Sequence, residues 1–271
     1  MERDDIYLID MWRILLREWR WFLASLILVL LLAMVFARTA KPQWQATAWI
    51  QIGQIGTAPV GQDPKAEPLL RVIERLQLEP FQNEVLQSIG IGALTPEGRL
   101  YRKGMKLEPM PYAGPLVKLS VRAYSPQQAE QLASATASRL QAVHREIETV
   151  PLKLAHARLD DVQAALQQTL AERDRLRQSA AQNKDSISAA LLLSRDEEIR
   201  NLQLTRDELQ TRLNPPFTYD TSLMWPVYVL DHPVFPNPAL IWGVGLLFGL
   251  FLGAFAAIAR NALRRGAVVR G

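Results

Sequence analysis

The chain has 271 residues, no cysteine and a formal net charge of +4. No disulfide and no cysteine-based metal or nucleophile site can form, so stability must come from packing and assembly. Between Arg38 and Pro238 the 23 basic and 22 acidic residues nearly cancel, which argues against a nucleic-acid partner.

In chain order, a mixed-charge leader over residues 1–20 precedes a charge-free apolar stretch from Trp21 to Ala37. Its counterpart, Ala239 to Ala259, lies near the other end and is followed by a basic tail over 260–271. A membrane helix needs about 20 apolar residues, with a range of about 17–25, and both stretches meet it. The leader carries Arg3, Arg13, Arg17 and Arg20, and the tail Arg260, Arg264, Arg265 and Arg270. Positive residues flank the cytoplasmic side, so both termini are expected inside and residues 38–238 outside, in the periplasm of a bacterium. The rival reading takes the first stretch as a signal peptide cut near Val35-Phe36-Ala37.

Within 38–238, Gln45 to Ile52 alternates, with Ala46, Ala48, Ile50 and Ile52 on one side, which predicts a strand. A Gly/Pro-bearing loop follows over 53–64. Leu69, Leu70, Ile73 and Leu76 predict a helix over 67–78, and a second short helix is expected from Phe81 to Ile89, ending at Gly90. A weak strand over 105–110 and a clear one over 116–124 come next.

Ser125 then suits an N-cap, Pro126 the first helical position, and Gln128 completes a capping box. Ala129, Ala133, Thr136, Leu140, Val143 and Ile147 follow at coiled-coil spacing. Pro151 kinks the helix or ends it. The pattern resumes from Leu152 to Leu176, turns at 182–186 and returns from Ile187 to Leu213. A helix unbroken to about Ala180 would run ~80 Å at 1.5 Å per residue. The expected fold is therefore α+β, with terminal transmembrane helices at 21–37 and 239–259. Between them lies a periplasmic α/β base, 38–125 with 214–238, from which a helical hairpin, 126–213, projects. Tyr219 to Val229 reads as a last strand, in which Pro226 favours an edge or a bulge.

Gly245, Gly249 and Gly253 fall on one face of the second apolar helix, a spacing that lets helix backbones approach in lipid. Their partner is the first membrane helix or a neighbouring protomer. Pro226, Pro233, Pro236 and Pro238 read as a stiff connector to the membrane. Trp19, Trp21 and Trp242, with Arg260, Arg264 and Arg265, are expected anchors at the lipid interface. His144, His156 and His232 are scattered, Asp160-Asp161 and Asp196-Glu197-Glu198 read as solvated faces, and no phosphate-cradling G-x-x-x-x-G-K-[ST] loop occurs. No catalytic residue, metal or cofactor is expected, and the chain reads as something other than an enzyme.

The leader Ile6-Tyr7-Leu8-Ile9-Asp10-Met11-Trp12, the helix start Ser125-Pro126-Gln127-Gln128-Ala129, and the run Leu230-Asp231-His232-Pro233-Val234-Phe235-Pro236-Asn237-Pro238 carry a family likeness. Together with the two terminal apolar helices they resemble the Wzz chain-length determinants, the polysaccharide co-polymerases of bacterial inner membranes. The resemblance implies a non-catalytic protein that forms a closed homo-oligomeric ring. Such a ring sets the polymer length made by a separate Wzy-type polymerase, on O-antigen or a related glycan. Membrane lipid, met by the basic tail, and the growing polysaccharide are the further expected partners. A capsule-export component and a membrane-anchored secretion-system adaptor are the alternatives.

Overall fold

The structure, a computed structural model, describes residues 17–57, 63–183 and 186–268; the side chains at 180, 182–189 and 262–268 fall outside that description. The leader motif 6–12, Arg3, Arg13 and Arg270 also lie outside the described residues. The chain divides into two units, Met1–Trp44 with Leu230–Gly271, and Gln45–Val229.

The first unit is a helix pair. Helix α1 spans Trp19–Thr39 and the final helix spans Pro238–Val268, of which Pro238–Asn261 is apolar enough to cross a membrane, as α1 is. Pro238 therefore opens this final helix rather than closing the connector. Asn237 caps it, its Oδ1 accepting from the Leu240 N–H at 3.4 Å.

The second unit is built on a five-stranded sheet. Strand β1 is Trp44–Gln51, β2 is Lys106–Met110 and β3 is Leu116–Ala123; β4, Ser222–Leu223, and β5, Tyr228–Val229, are two residues each. The order is β2-β3-β1, with β4 and β5 both on the far side of β1. Ala46, Ala48, Ile50 and Ile52 are wholly buried, as the alternation predicts. Strand β3 lies between β2 and β1, and Leu119, Ser120 and Val121 are buried in succession, so both its faces are covered.

The expected final strand is interrupted. Ala46 and Thr47 pair with Val229 and Tyr228, while Ile50 and Gln51 pair with Leu223 and Ser222. Two residues of β1 thus face four of the returning chain, 224–227, and Pro226, which has no N–H for a ladder, sits in that excess. The Met224 N–H still reaches the Trp49 carbonyl at 2.9 Å, and Trp225 meets the Trp49 ring edge-on at 5.8 Å.

Three short helices lie between β1 and β2 in the chain: α2, Leu69–Gln77, which packs on β2; α3, Glu79–Ser88; and α4, Pro96–Gly104, which packs on β3. In α2 the buried residues are Val72 and Leu76, while Leu70 is exposed, so the buried stripe differs from the expected Leu69/Leu70/Ile73/Leu76 line. After α3, Gly90 at φ 72° closes a Schellman turn, with Ile91 N–H to Leu86 O at 2.9 Å. Helix α4 was not expected, yet its signal is present: Thr95 caps it through the Gly98 N–H, and Pro96 takes the first position.

Helix α5 runs unbroken from Pro126 to Asn183, 58 residues, with Pro151 inside it. At 1.5 Å per residue that is about 87 Å. Ser125 Oγ accepts from the Gln128 N–H at 3.1 Å, while Gln128 Oε1 accepts from the Tyr124 N–H at 3.3 Å, one residue earlier than in a standard capping box. Helix α6, Ser186–Leu213, packs along α5 and is tied to it by Arg195–Glu172 at 3.3 Å. The last helix of the chain, Pro238–Val268, is α7.

Candidate functional site

The glycine ridge has a partner within the chain. Close helix approach in lipid depends on small residues, because apolar side chains there gain nothing from leaving water. A Cβ added at Gly245 would stand 3.2 Å from Ala33 Cβ, at Gly249 2.6 Å from Leu26 Cδ1, and at Gly253 2.7 Å from Phe22 Cδ2. Within the chain, the ridge lies against α1. The opposite face of α7, with Phe248, Phe251 and Phe255, is exposed.

The proline run is held by the segment that follows α1. Since Pro233 and Pro236 donate nothing, Val234 and Gln43 supply the donors: Val234 N–H to Gln43 O at 2.8 Å and Gln43 N–H to Phe235 O at 2.9 Å. Phe235 meets Phe36 edge-on at 6.3 Å, and its bond to Pro236 is cis. Among the aromatic anchors, Trp19, Trp21 and Trp242 are all about half exposed, and the Arg260 guanidinium lies 5.3 Å from the Trp21 ring centroid. Arg264 and Arg265 fall in α7, with side chains outside the described residues.

The root of the arm holds a buried polar cluster that the sequence reading missed. The apolar stripe of α5 runs through Ala129, Ala133, Thr136 and Leu140, then continues on His144 and Glu148 instead of Val143 and Ile147. His144 is 0% exposed, Glu148 and Glu67 3% each, and Thr221 1%. The Thr221 hydroxyl accepts from the Gly53 N–H at 2.8 Å and lies 2.6 Å from His144 Nδ1; His144 Nε2 faces Glu67 Oε2 at 3.5 Å. A proton on Nε2 points toward the Glu67 carboxylate, though at 3.5 Å it makes no hydrogen bond, and leaves Nδ1 to accept from the Thr221 hydroxyl. Arg75 holds Glu67 with two hydrogen bonds, at 2.8 and 3.0 Å.

Electrostatics divide the two acids. Burial alone would raise the Glu67 carboxyl, but the Arg75 guanidinium and His144 outweigh it and hold it below the usual range. Burial lowers the His144 imidazole, with Glu67 opposing and Arg75 assisting. Burial, then the Asp220 charge, push Glu148 up to about 7, with Arg145 opposing. Nearby, burial drives the Tyr101 phenol up to about 12, and its hydroxyl bonds to Thr136 at 2.9 Å, joining α4 to α5. Among the described residues no group of three His, Cys, Asp or Glu could hold a metal ion. The signal for this cluster was a His and a Glu falling on the buried phase of a 3.6-residue period; the coiled-coil spacing masked it.

The family model described as Wzz, chain length determinant protein, matches residues 4–91. The likeness to that family is therefore shown over the leader, α1, β1 and the first two short helices. The match ends before Ser125 and before the proline run. Among solved structures, a full-length bacterial polysaccharide co-polymerase is 18% identical, over 96% of this chain and 99% of that one, with a TM-score of 0.43. An alanine-to-proline mutant of the Shigella flexneri lipopolysaccharide O-antigen chain-length regulator is 14% identical, over 72% of this chain and 100% of that one, with a TM-score of 0.25. No curated protein matches this chain.

Proposed function

We propose that this chain is a non-catalytic regulator of polysaccharide chain length, anchored in the bacterial inner membrane and acting as an oligomeric scaffold beside a separate Wzy-type polymerase. The observation that carries the reading is the Wzz family match over residues 4–91, a span that includes the first of two membrane-length helices. Topology follows from the arginines at both ends: termini in the cytoplasm, residues 38–238 in the periplasm.

Assembly is supported by the arm. Ile147, Val150 and Leu154 are exposed at helical spacing on α5, and Leu193 and Leu204 are exposed on α6. Such stripes in a chain without disulfides favour burial against further copies in a closed cyclic ring. The polymer is O-antigen or a related glycan, which the ring measures by engaging the polymerase, the growing chain, or both. Membrane lipid covers the outer faces of α1 and α7.

Deleting the gene and resolving the cell's polysaccharide on gels tests this reading. Loss of a modal length at undiminished total polymer is expected. Loss of all polymer would point instead to export or synthesis. Mass measurement in mild detergent should show a high-order species, and a monomer at all concentrations would refute the scaffold.

A further inference from the structure

Glu148 has no part in the role proposed above, yet it is placed with care. It projects from α5 one turn beyond His144, 3% exposed, and its Oε1 has no hydrogen-bond partner. A Cβ on Gly53 would stand 2.6 Å from that oxygen, with Thr221 N and Tyr219 O bordering the same space at 2.7 and 2.9 Å. The Tyr219 carbonyl, which accepts from the Gln54 N–H at 2.9 Å, disfavours a carboxylate beside it, and the Thr221 N–H bordering the same space makes no hydrogen bond to Oε1. Asp220 adds a second negative charge from the returning chain, and it draws Arg145 to itself at 3.2 Å. The remaining charged neighbours are His144 on α5 and the Glu67–Arg75 pair from the α2 side, already satisfied by each other.

Beside this wedge lies a cavity of about 350 Å³, to which Glu148, Pro151, Arg158, Lys65 and Leu209 all contribute. Lys65 is paired with Asp63 at 2.9 Å across its wall. We propose that Glu148 is a proton-operated latch at the root of the arm. Carrying its proton, it seals the wedge between α5, Gly53 and Tyr219–Thr221; on losing it, the α5 root loosens toward the cavity, where water, Arg158 and Lys65 stabilise the anion. An ionised carboxylate whose buried Oε1 lacks a hydrogen-bond partner is costly, whereas the neutral acid is tolerated.

The sign follows from the two protonation equilibria. The sealed carboxyl sits up at about 7, while a released one ionises near its ordinary 4.5. Below 4.5 neither form is favoured by pH. As pH rises from 4.5 to 7 the released root gains, by up to roughly two orders of magnitude in population, and above 7 the effect is constant. His144 acts in the opposite sense: its lowered pKa means a released imidazole binds protons first as pH falls below 6.5. In the wild-type chain the two partly cancel, so the latch is read from the difference between wild type and Glu148→Gln.

The experiment is hydrogen exchange on the full-length protein in a detergent micelle from pH 4.5 to 8, corrected for intrinsic rates. Peptides covering residues 141–155 and 219–223 report the root, and β3 peptides are the reference. The wild-type opening relative to Glu148→Gln should be near one at pH 4.5 and at least ~10-fold by pH 8. A ratio that stays constant with pH overturns the proposal. Asp220→Asn keeps Glu148, removes its like charge and frees Arg145. It should cut the pH 8 opening at least ~3-fold, and an unchanged or larger opening overturns the electrostatic cause. This second variant decides the matter even if Glu148→Gln fails to fold. Because the readout is exchange rather than polymer, it stands independently of the chain-length role.

Discussion

Gly249 of α7 lies so close to Leu26 of α1 that a single added methyl would come within 2.6 Å of the Leu26 Cδ1 atom. The contacts along the ridge are not equivalent. At Gly249 the neighbour is the mobile end of a leucine; at Gly253 it is the Phe22 ring with the Phe22 carbonyl at 3.0 Å; at Gly245 it is only the Ala33 methyl at 3.2 Å. Alanine should therefore disturb the helix pair most at Gly253 and least at Gly245, because a backbone carbonyl cannot move aside as a leucine methyl can. Since the chain has no native cysteine, Ala33→Cys with Gly245→Cys gives a clean reporter, its Cβ separation falling just short of the usual disulfide span of about 3.5–4.5 Å. Oxidation should close this pair efficiently, and Gly249→Leu or Gly253→Leu should reduce the yield several-fold while the protein remains inserted. On the chain-length reading, Gly249→Leu also broadens or shifts the polymer distribution, with Leu246→Ile as the control.

Gly53 is the corresponding close contact at the arm root. A Cβ there meets the Thr221 amide nitrogen at 2.7 Å and the Tyr219 carbonyl at 2.9 Å, both backbone, as well as Glu148. Gly53→Ala must push the returning chain away from β1 and weaken the Gly53 N–H to Thr221 hydrogen bond. A loss of about 1–3 kcal/mol is expected, seen as a lowered Tm of the full-length protein. An unchanged Tm would mean that the returning chain is not seated as described.

The acid limb of stability has two sources, His144, whose buried neutral ring resists protonation as pH falls below 6.5, and, at lower pH, Glu67. The Glu67 carboxyl is held below the usual 4.5 in the folded chain, so its contribution is fully present above that value and is lost as pH falls through the folded value. Thermal melts of wild type should weaken further below pH 4.5, and Glu67→Gln should flatten that part of the limb. Arg75→Ala leaves the 3%-exposed Glu67 carboxylate without its cation. Because Arg75 is itself 31% exposed, water replaces part of what is lost, and a cost near the lower end of roughly 3–5 kcal/mol is expected at neutral pH.

Pro151 removes the N–H that would bond the Ile147 carbonyl inside α5. Interior proline costs a helix about 3 kcal/mol, so Pro151→Ala should add up to that much to the unfolding free energy and raise the Tm. A lowered Tm would show that the proline ring contributes packing at the cavity wall that outweighs the missing hydrogen bond.

Several elements were legible because their signals are local. The period-two pattern of Ala46 to Ile52 places a strand, Ser125-Pro126 places the start of a helix, and Gly90 ends α3 in a left-handed turn only glycine adopts without strain. Helix α4 carried the same class of signal in Thr95-Pro96 and was passed over because its Gly98 and Gly104 dilute the pattern. The returning chain was read as one strand, since alternation cannot report that four residues face two; that count is a property of the pairing, not of either segment.

By itself, the sequence determined the two apolar spans at the chain ends, the α+β order between them and the start and stop of the helical hairpin, each of which follows from hydropathy, period and caps along one stretch of chain. Only the tertiary structure decided that α5 continues through Pro151, since neighbouring packing can outweigh a missing hydrogen bond. It also decided that the glycine ridge meets α1, because Phe22, Leu26 and Ala33 form its counterpart on a segment more than 200 residues away. The arm root is the clearest case. Glu67, His144 and Thr221 are ordinary polar residues in their own segments, and Glu148 is one of many acids on a charged helix. Their burial, and the opposite protonation preferences of the two glutamates, exist only once α5, Gly53 and the returning chain exclude water from the same small volume.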